Sequence, residues 1–206
     1  MKGQIVTGPD GERIVLVDVG QRVLLDDPLV RVWEVSLDPG QTQPWHLHHN
    51  PYVVLCLASS PGRMDWIDGS EPRFTREYVG GAVLRPVSPV HRLTNIGPDH
   101  YRNRLIELKE LGEEGSGRAA SPRPADINAE SRSRADDSPG ADPDLVLDNR
   151  YVRVWTVTTG ADELPTDRDR VVVPIDDGES SSGIAHHLPG EPLAGGTGRR
   201  YVVELR

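Results

Sequence analysis

His46 and His48 are separated by one residue within the stretch Gly40-Gln41-Thr42-Gln43-Pro44-Trp45-His46-Leu47-His48-His49-Asn50-Pro51-Tyr52. The apolar run Val53-Val54-Leu55-Cys56-Leu57 follows immediately. In an extended strand, residues i and i+2 face the same side, which would set the two imidazoles next to each other. Two neighbouring imidazoles are half of a divalent-metal site. His49 would point to the opposite face of a regular strand. No Ser-His-Asp or paired-carboxylate arrangement is visible along the chain, so no nucleophile or acid/base pair can be named.

The elements around the pair read as short strands. Val30–Leu37 is β-prone, but its apolar and polar residues do not alternate cleanly, which predicts burial on both faces or a bulge. Asp38-Pro39-Gly40 ends that run. Further strands are expected over Arg13–Val17, Val23–Leu25, Val53–Ala58, Met64–Ile67, Arg73–Tyr78, Ala82–Pro86 and Tyr101–Leu108, with turn residues between them. Short strands at this spacing predict an all-β sandwich or barrel, and no amphipathic helix is evident before residue 110.

Composition agrees. The 206 residues include 21 Gly and 18 Pro, with 36% hydrophobic residues, a balance that favours turns and strands over helices. A formal net charge of -9 argues against nucleic acid or an anionic membrane as partner. No apolar run reaches the roughly 20 residues of a membrane span, and no signal-peptide pattern follows Met1. A cytoplasmic protein is expected. Cys56, the single cysteine, cannot form an internal disulfide and reads as an inert buried thiol.

Residues 112–143 are rich in Gly, Ser, Pro, Ala and charged residues, and Ile127 is their one large apolar residue. Such a stretch is expected to be a disordered linker. Beyond it, Val152-Arg153-Val154-Trp155 echoes Val30-Arg31-Val32-Trp33, and Val203-Glu204-Leu205 echoes Ile106-Glu107-Leu108. A duplicated β unit accounts for both echoes. The second copy is shorter, as if a hairpin had been lost, and is expected to cover an edge of the first copy or lend an interface.

Downstream of the first pair, Gly80, Pro86, Ser88, His91 and Asn95 fall at the spacing Gly-x5-Pro-x-Ser-x2-His-x3-Asn. With Gly40-x5-His46-x-His48, this resembles the two motifs of the cupin superfamily, Gly-x5-His-x-His-x3,4-Glu-x6-Gly and Gly-x5-Pro-x-Gly-x2-His-x3-Asn. The resemblance covers roughly residues 25–110, and Ser88 is the one departure in the second motif. It implies a small jelly-roll-type β-barrel over 1–111, followed by the linker and a degenerate half-cupin over 144–206. The Tyr before a Val-Val run is most similar to the small cupins grouped with β-alanine-degradation proteins.

The resemblance also implies that His46, His48 and His91 are metal ligands. The family's glutamate is missing, because its position falls on Tyr52 or Val53. Three neutral imidazoles would leave a divalent ion its full charge and an extra open position, favouring a small anionic ligand. Iron would suit O₂ activation on a chelating substrate, as in the cupin thiol dioxygenases, and zinc would suit Lewis-acid or hydroxide chemistry. Nickel or manganese is equally compatible, since ligand type alone does not select the ion. Gln43, Asn50, Tyr52 and Arg85 are candidates for the pocket or for orienting the ligands.

The expected function is that of a metal-dependent enzyme, a dioxygenase or a lyase/isomerase. The alternative is a non-catalytic module that binds or senses a small molecule. Pairing of exposed barrel faces into a homodimer is a further expectation. No second metal site is expected in the C-terminal copy, where His186 and His187 are adjacent and would face opposite ways in a strand.

Overall fold

The computed structural model describes residues 2–112, 142–159, 163–176, 183–193 and 198–206. The expected linker over 112–143 therefore lies almost wholly outside the described residues. The chain forms two compact units.

The first unit begins with a separate hairpin, β1 (Ile5–Thr7) against β2 (Arg13–Val15). Its remaining strands are β3 (Arg22–Asp26), β4 (Val30–Leu37), β5 (Thr42–His46), β6 (Tyr52–Ala58), β7 (Gly62–Trp66), β8 (Arg73–Thr75), β9 (Ala82–Arg85), β10 (His91–Asn95) and β11 (Tyr101–Leu108). They build a five-stranded sheet, β3-β4-β11-β6-β9, and a four-stranded sheet, β5-β10-β7-β8. The chain crosses from one sheet to the other at nearly every connection after β4. Together with the outermost pairing of β4 with β11 and the next pairing of β5 with β10, this is jelly-roll topology.

Alternate residues of the three central strands, β4, β11 and β6, enter one core. Trp33, Val35 and Leu37 come from β4, Tyr52 and Val54 from β6, and Tyr101 and Leu105 from β11, with Leu93 of β10 packed against them. The opposite face of that sheet is also buried at Val30, Val32, Val53, Leu55 and Ile106. Burial on both faces explains why the apolar pattern of β4 does not alternate.

Gly40 and Asn95 bring the two motif stretches together. Gly40 has φ +79°, a left-handed turn conformation that glycine adopts without strain. Its N–H donates to the Asn95 carbonyl (2.9 Å), and the Asn95 N–H donates to the Gln41 carbonyl (2.9 Å). The fully buried Asn95 side chain then ties four further groups. Its Nδ2 donates to the Leu37 and Asp99 carbonyls, and its Oδ1 accepts from the Ser60 hydroxyl and the Gly97 N–H. Asn95→Ala strands these partners in the interior. It should lower unfolding free energy by about 2–4 kcal/mol, measured by urea denaturation, with the histidines left in place.

The second unit consists of β12 (Asp144–Asp148), β13 (Val152–Val157), β14 (Arg170–Pro174), β15 (Ala185–His187) and β16 (Arg200–Leu205). They form one sheet in the order β12-β13-β16-β14-β15. That is the order β3-β4-β11-β6-β9 of the first unit, strand for strand. The registers agree as well. Trp33 lies opposite Leu105 and Arg31 opposite Glu107, while Trp155 lies opposite Val202 and Arg153 opposite Glu204. Trp155, Val157, Val172 and Val202, with Leu164 and Leu193, form the core on its tryptophan face.

Counterparts of β5, β7, β8 and β10 do not occur among the described residues.

Candidate metal centre

β5 and β10 are antiparallel neighbours, and their register sets His46 directly opposite His91. The two rings lie 4.4 Å apart, centroid to centroid. His46 is the last residue of β5, so His48 lies beyond the strand, in the connection to β6. Its ring still comes within 5.2 Å of His46 and 5.4 Å of His91. The pairing of His46 with His48 thus comes from the extended exit of β5, not from regular strand alternation. One nitrogen from each of the three rings lies within 4.8 Å of the other two, and all three residues are buried. No other such group of three occurs among the described residues.

Two ring orientations are fixed by the same local device. His46 Nδ1 is 2.7 Å from the carbonyl of Pro44, and His91 Nδ1 is 2.8 Å from the carbonyl of Pro89. A carbonyl only accepts, so each Nδ1 carries the proton and each Nε2 presents a bare lone pair, as a metal ligand requires. The sequence carries this device twice, as Pro44-Trp45-His46 and Pro89-Val90-His91.

His48 is held differently. Its ring stacks on Tyr52, with centroids 3.8 Å apart and planes 12° from parallel. Its Nδ1 lies 3.8 Å from Glu107 Oε1, and Glu107 is anchored by the Trp33 indole N–H at 2.7 Å.

Burial holds the His46 and His48 imidazoles well below their ordinary pKa range, and the neighbouring His91 lowers both further. Burial lowers His91 as well. Three neutral imidazoles with converging nitrogens are chemically suited to a divalent transition metal. The donor set fits such an ion.

Tyr52 is the residue in the family's glutamate position. It opens β6 with its ring turned toward His48, whereas Val53 is fully buried opposite Ile106 on the other face. Burial pushes the Tyr52 hydroxyl pKa up, so it remains a phenol rather than an anionic ligand. Tyr52→Glu would place a carboxylate beside the three nitrogens. It should tighten metal binding by about tenfold or more, because a full negative charge then faces the ion. Competition against a chelating dye would measure this.

The three histidines line a cavity of about 480 Å³, counting the space at its mouth, to which Gln43, Tyr52 and Arg85 also contribute. Gln43 is committed to structure, with its Nε2 donating to the Asp18 carbonyl and its Oε1 accepting from Gln21. Asn50 is fully buried and is not part of the cavity lining. Glu77, Tyr101 and Asn103 also line the cavity. Tyr101 and Asn103 share the inward face of β11 with Leu105, so alternation in that strand could have pointed to them. Glu77 lies between β8 and β9, because the strand expected over Arg73–Tyr78 ends at Thr75, and it lines the cavity two residues beyond Thr75. Burial raises the Glu77 carboxyl pKa, against the opposing pull of Arg85.

The remaining candidates play other parts. Trp66 meets His91 edge-on at 5.5 Å, and Trp45 lies beneath the Arg92 guanidinium at 4.9 Å. Burial pushes the Cys56 thiol pKa up, which leaves it protonated and inert. His100 is partly exposed and bonded to Asp38 and Ser36. In the second unit, His186 pairs with Asp169 at 2.9 Å.

No protein-family model matches the chain, and no curated protein matches it. Among solved structures it is similar to a cupin domain from Bordetella pertussis Tohama I, with 26% identity over 43% of this chain and 90% of that one (TM-score 0.40). A conserved protein with a double-stranded β-helix domain from Klebsiella pneumoniae subsp. pneumoniae MGH 78578 is 21% identical over 45% of this chain and 76% of that one (TM-score 0.36). An RmlC-like cupin family protein from Methanocaldococcus jannaschii is 19% identical over 41% and 73% (TM-score 0.34). No helix is long and apolar enough to cross a membrane among the described residues. The strand order, the meeting of the two motif turns and the three converging histidines give the N-terminal unit the cupin fold.

Proposed function

We propose that the protein is a metal-dependent cupin enzyme that acts on a small anionic molecule in the barrel of its first unit. The observation that carries this reading is the set of three buried imidazoles, two of which have Nδ1 tied to proline carbonyls so that Nε2 is left for an ion. When bound, the ion supplies Lewis acidity or, if it is iron, redox chemistry.

The chain's own residues set the conditions. Three neutral ligands leave the ion's charge uncompensated, and Arg85 adds a further positive charge to the cavity. Both favour an anion. Tyr52, in the glutamate position, holds His48 by stacking and leaves a coordination position open. Val35, Val54, Leu93 and Leu105 line the cavity and limit water around the reacting molecule.

The test uses protein purified without an affinity tag and loaded with cobalt(II). Small anions such as azide or acetate should change its visible spectrum as they enter the open positions. Turnover of a small carboxylate should disappear with chelator and return with one equivalent of metal. A protein that binds small anions equally well with and without metal, and turns none over, would be a binding module instead.

A further inference from the structure

Beside the imidazoles, the cavity has a polar wall formed by Arg85, Glu77, Tyr101 and Asn103. Asn103 is 1% exposed. Its Nδ2 donates to the Tyr101 hydroxyl at 2.5 Å, and that hydroxyl donates to Glu77 Oε2 at 3.3 Å. A phenol has one proton, and Tyr101 places it on Glu77, so it can only accept from Asn103. This chain of bonds fixes which way the Asn103 amide is turned and leaves its Oδ1 over. Oδ1 is buried and has no hydrogen-bond partner among the described residues. Buried polar atoms are normally satisfied, so an orphaned acceptor on a cavity wall calls for a donor from whatever fills the cavity.

Arg85 presents the complementary feature. It forms no ion pair among the described residues, and Glu77 and Arg73 act on it only through space. The wall therefore offers a guanidinium and a bare acceptor to the same occupant, next to Thr75, whose buried Oγ1 also has no partner among the described residues.

We propose that the occupant is a small carboxylate that also carries a hydrogen-bond donor, a hydroxy- or amino-acid. Its carboxylate pairs with Arg85, and its O–H or N–H fills the Asn103 amide oxygen. Arg85 suits a carboxylate because its planar fork can donate two parallel bonds. An anion without a donor leaves Asn103 unsatisfied, and a donor without a carboxylate leaves Arg85 unpaired. The inference rests on the proposed function for the choice of cavity, and it does not require the metal.

The test is calorimetric titration of the full chain, both metal-stripped and loaded with one equivalent of zinc. The ligands are 2-hydroxypropanoate, 3-hydroxypropanoate, alanine and β-alanine, each compared with propanoate and with its own carboxamide. At least one of the four should bind about tenfold more tightly than both of its controls, in stripped and loaded protein alike. Arg85→Gln should abolish the advantage over the carboxamide. Asn103→Leu, checked for folding by its melting curve, should abolish the advantage over propanoate. If Asn103→Leu does not fold, the wild-type ratios alone decide.

Equal binding of the acids and their controls would overturn the inference and leave a water molecule as the partner of Asn103. An advantage seen only with zinc, and undiminished in Arg85→Gln, would also overturn it, since chelation alone would then explain the preference. Absence of stoichiometric metal, with the preference intact in stripped protein, would defeat the metal reading and leave this one standing.

Discussion

His91→Ala should lower the affinity for zinc or iron by at least about a hundredfold, and His46→Ala should do the same. Residues that merely orient a metal ligand cost roughly 10–100-fold when removed. A direct ligand from a set of only three should therefore cost at least the upper end of that range. His91 is the severest case, because it lies opposite His46 in the ladder and its nitrogen completes the group. His100→Ala is the matching control, since that histidine is partly exposed and bonded to Asp38 at the surface. Chelator competition on the three variants and the wild type measures the effect. Equal affinities for His91→Ala and wild type would remove the site from the barrel.

In the metal-free protein, stability should fall as the pH drops below about 6.5, the ordinary histidine value. The sign follows from linkage. The unfolded chain's imidazoles take up protons near that value, whereas the buried ones, with lowered pKa values, resist protonation until the pH is lower. Between those limits the unfolded state binds more protons, so unfolding free energy rises with pH and is lost on acidification. Three such groups give a slope approaching about 4 kcal/mol per pH unit.

Glu77 and Glu107 oppose this trend. Burial raises both carboxyls, so each adds stability as the pH falls toward the usual carboxylate range. Comparison with His48→Gln isolates the histidine contribution, because the variant keeps both carboxyls. Its slope should be shallower by about 1.4 kcal/mol per pH unit. Urea midpoints between pH 5 and 8 supply the comparison, and parallel curves would show that His48 is not held neutral.

The fold was readable wherever strands are marked by their own residues. Val30–Leu37, Val53–Ala58 and Tyr101–Leu108 are strands in the structure over nearly the expected spans. Trp33 and Trp155 occupy corresponding places in two sheets of the same strand order, and the register of β4 with β11 recurs in β13 with β16. The strands that carry the histidines were less visible. Thr42–His46 and His91–Asn95 are short, contain a proline or polar residues, and reveal themselves mainly by pairing with each other. Their sequence signature lies in residues such as Gly40 in the turn before β5 and Asn95 at the end of β10, where conformation and side-chain bonding leave little choice.

The candidate site divides in the same way. The convergence of His46, His48 and His91 was legible through the resemblance to the two cupin motifs, which joins the first two to the third. Tyr52 and Val53 could not be separated until the pairing of β6 with β11 assigned them to opposite faces. Glu77 falls in the expected strand Arg73–Tyr78, which ends at Thr75 in the structure, and nothing in its local pattern marked it as facing the cavity. Asn103 could be placed on a face by alternation, but its unsatisfied oxygen depends on the hydroxyl of Tyr101 two residues earlier. Such dependence cannot be read from local pattern.

The central claim is that His46, His48 and His91 together hold one metal ion and leave it open positions. X-ray absorption on protein loaded with one equivalent of zinc tests this most directly. The account predicts a first shell of three imidazole nitrogens at about 2.0–2.1 Å, completed by light oxygen scatterers and without sulfur. A shell made of oxygen alone, or one containing the Cys56 sulfur, would contradict it.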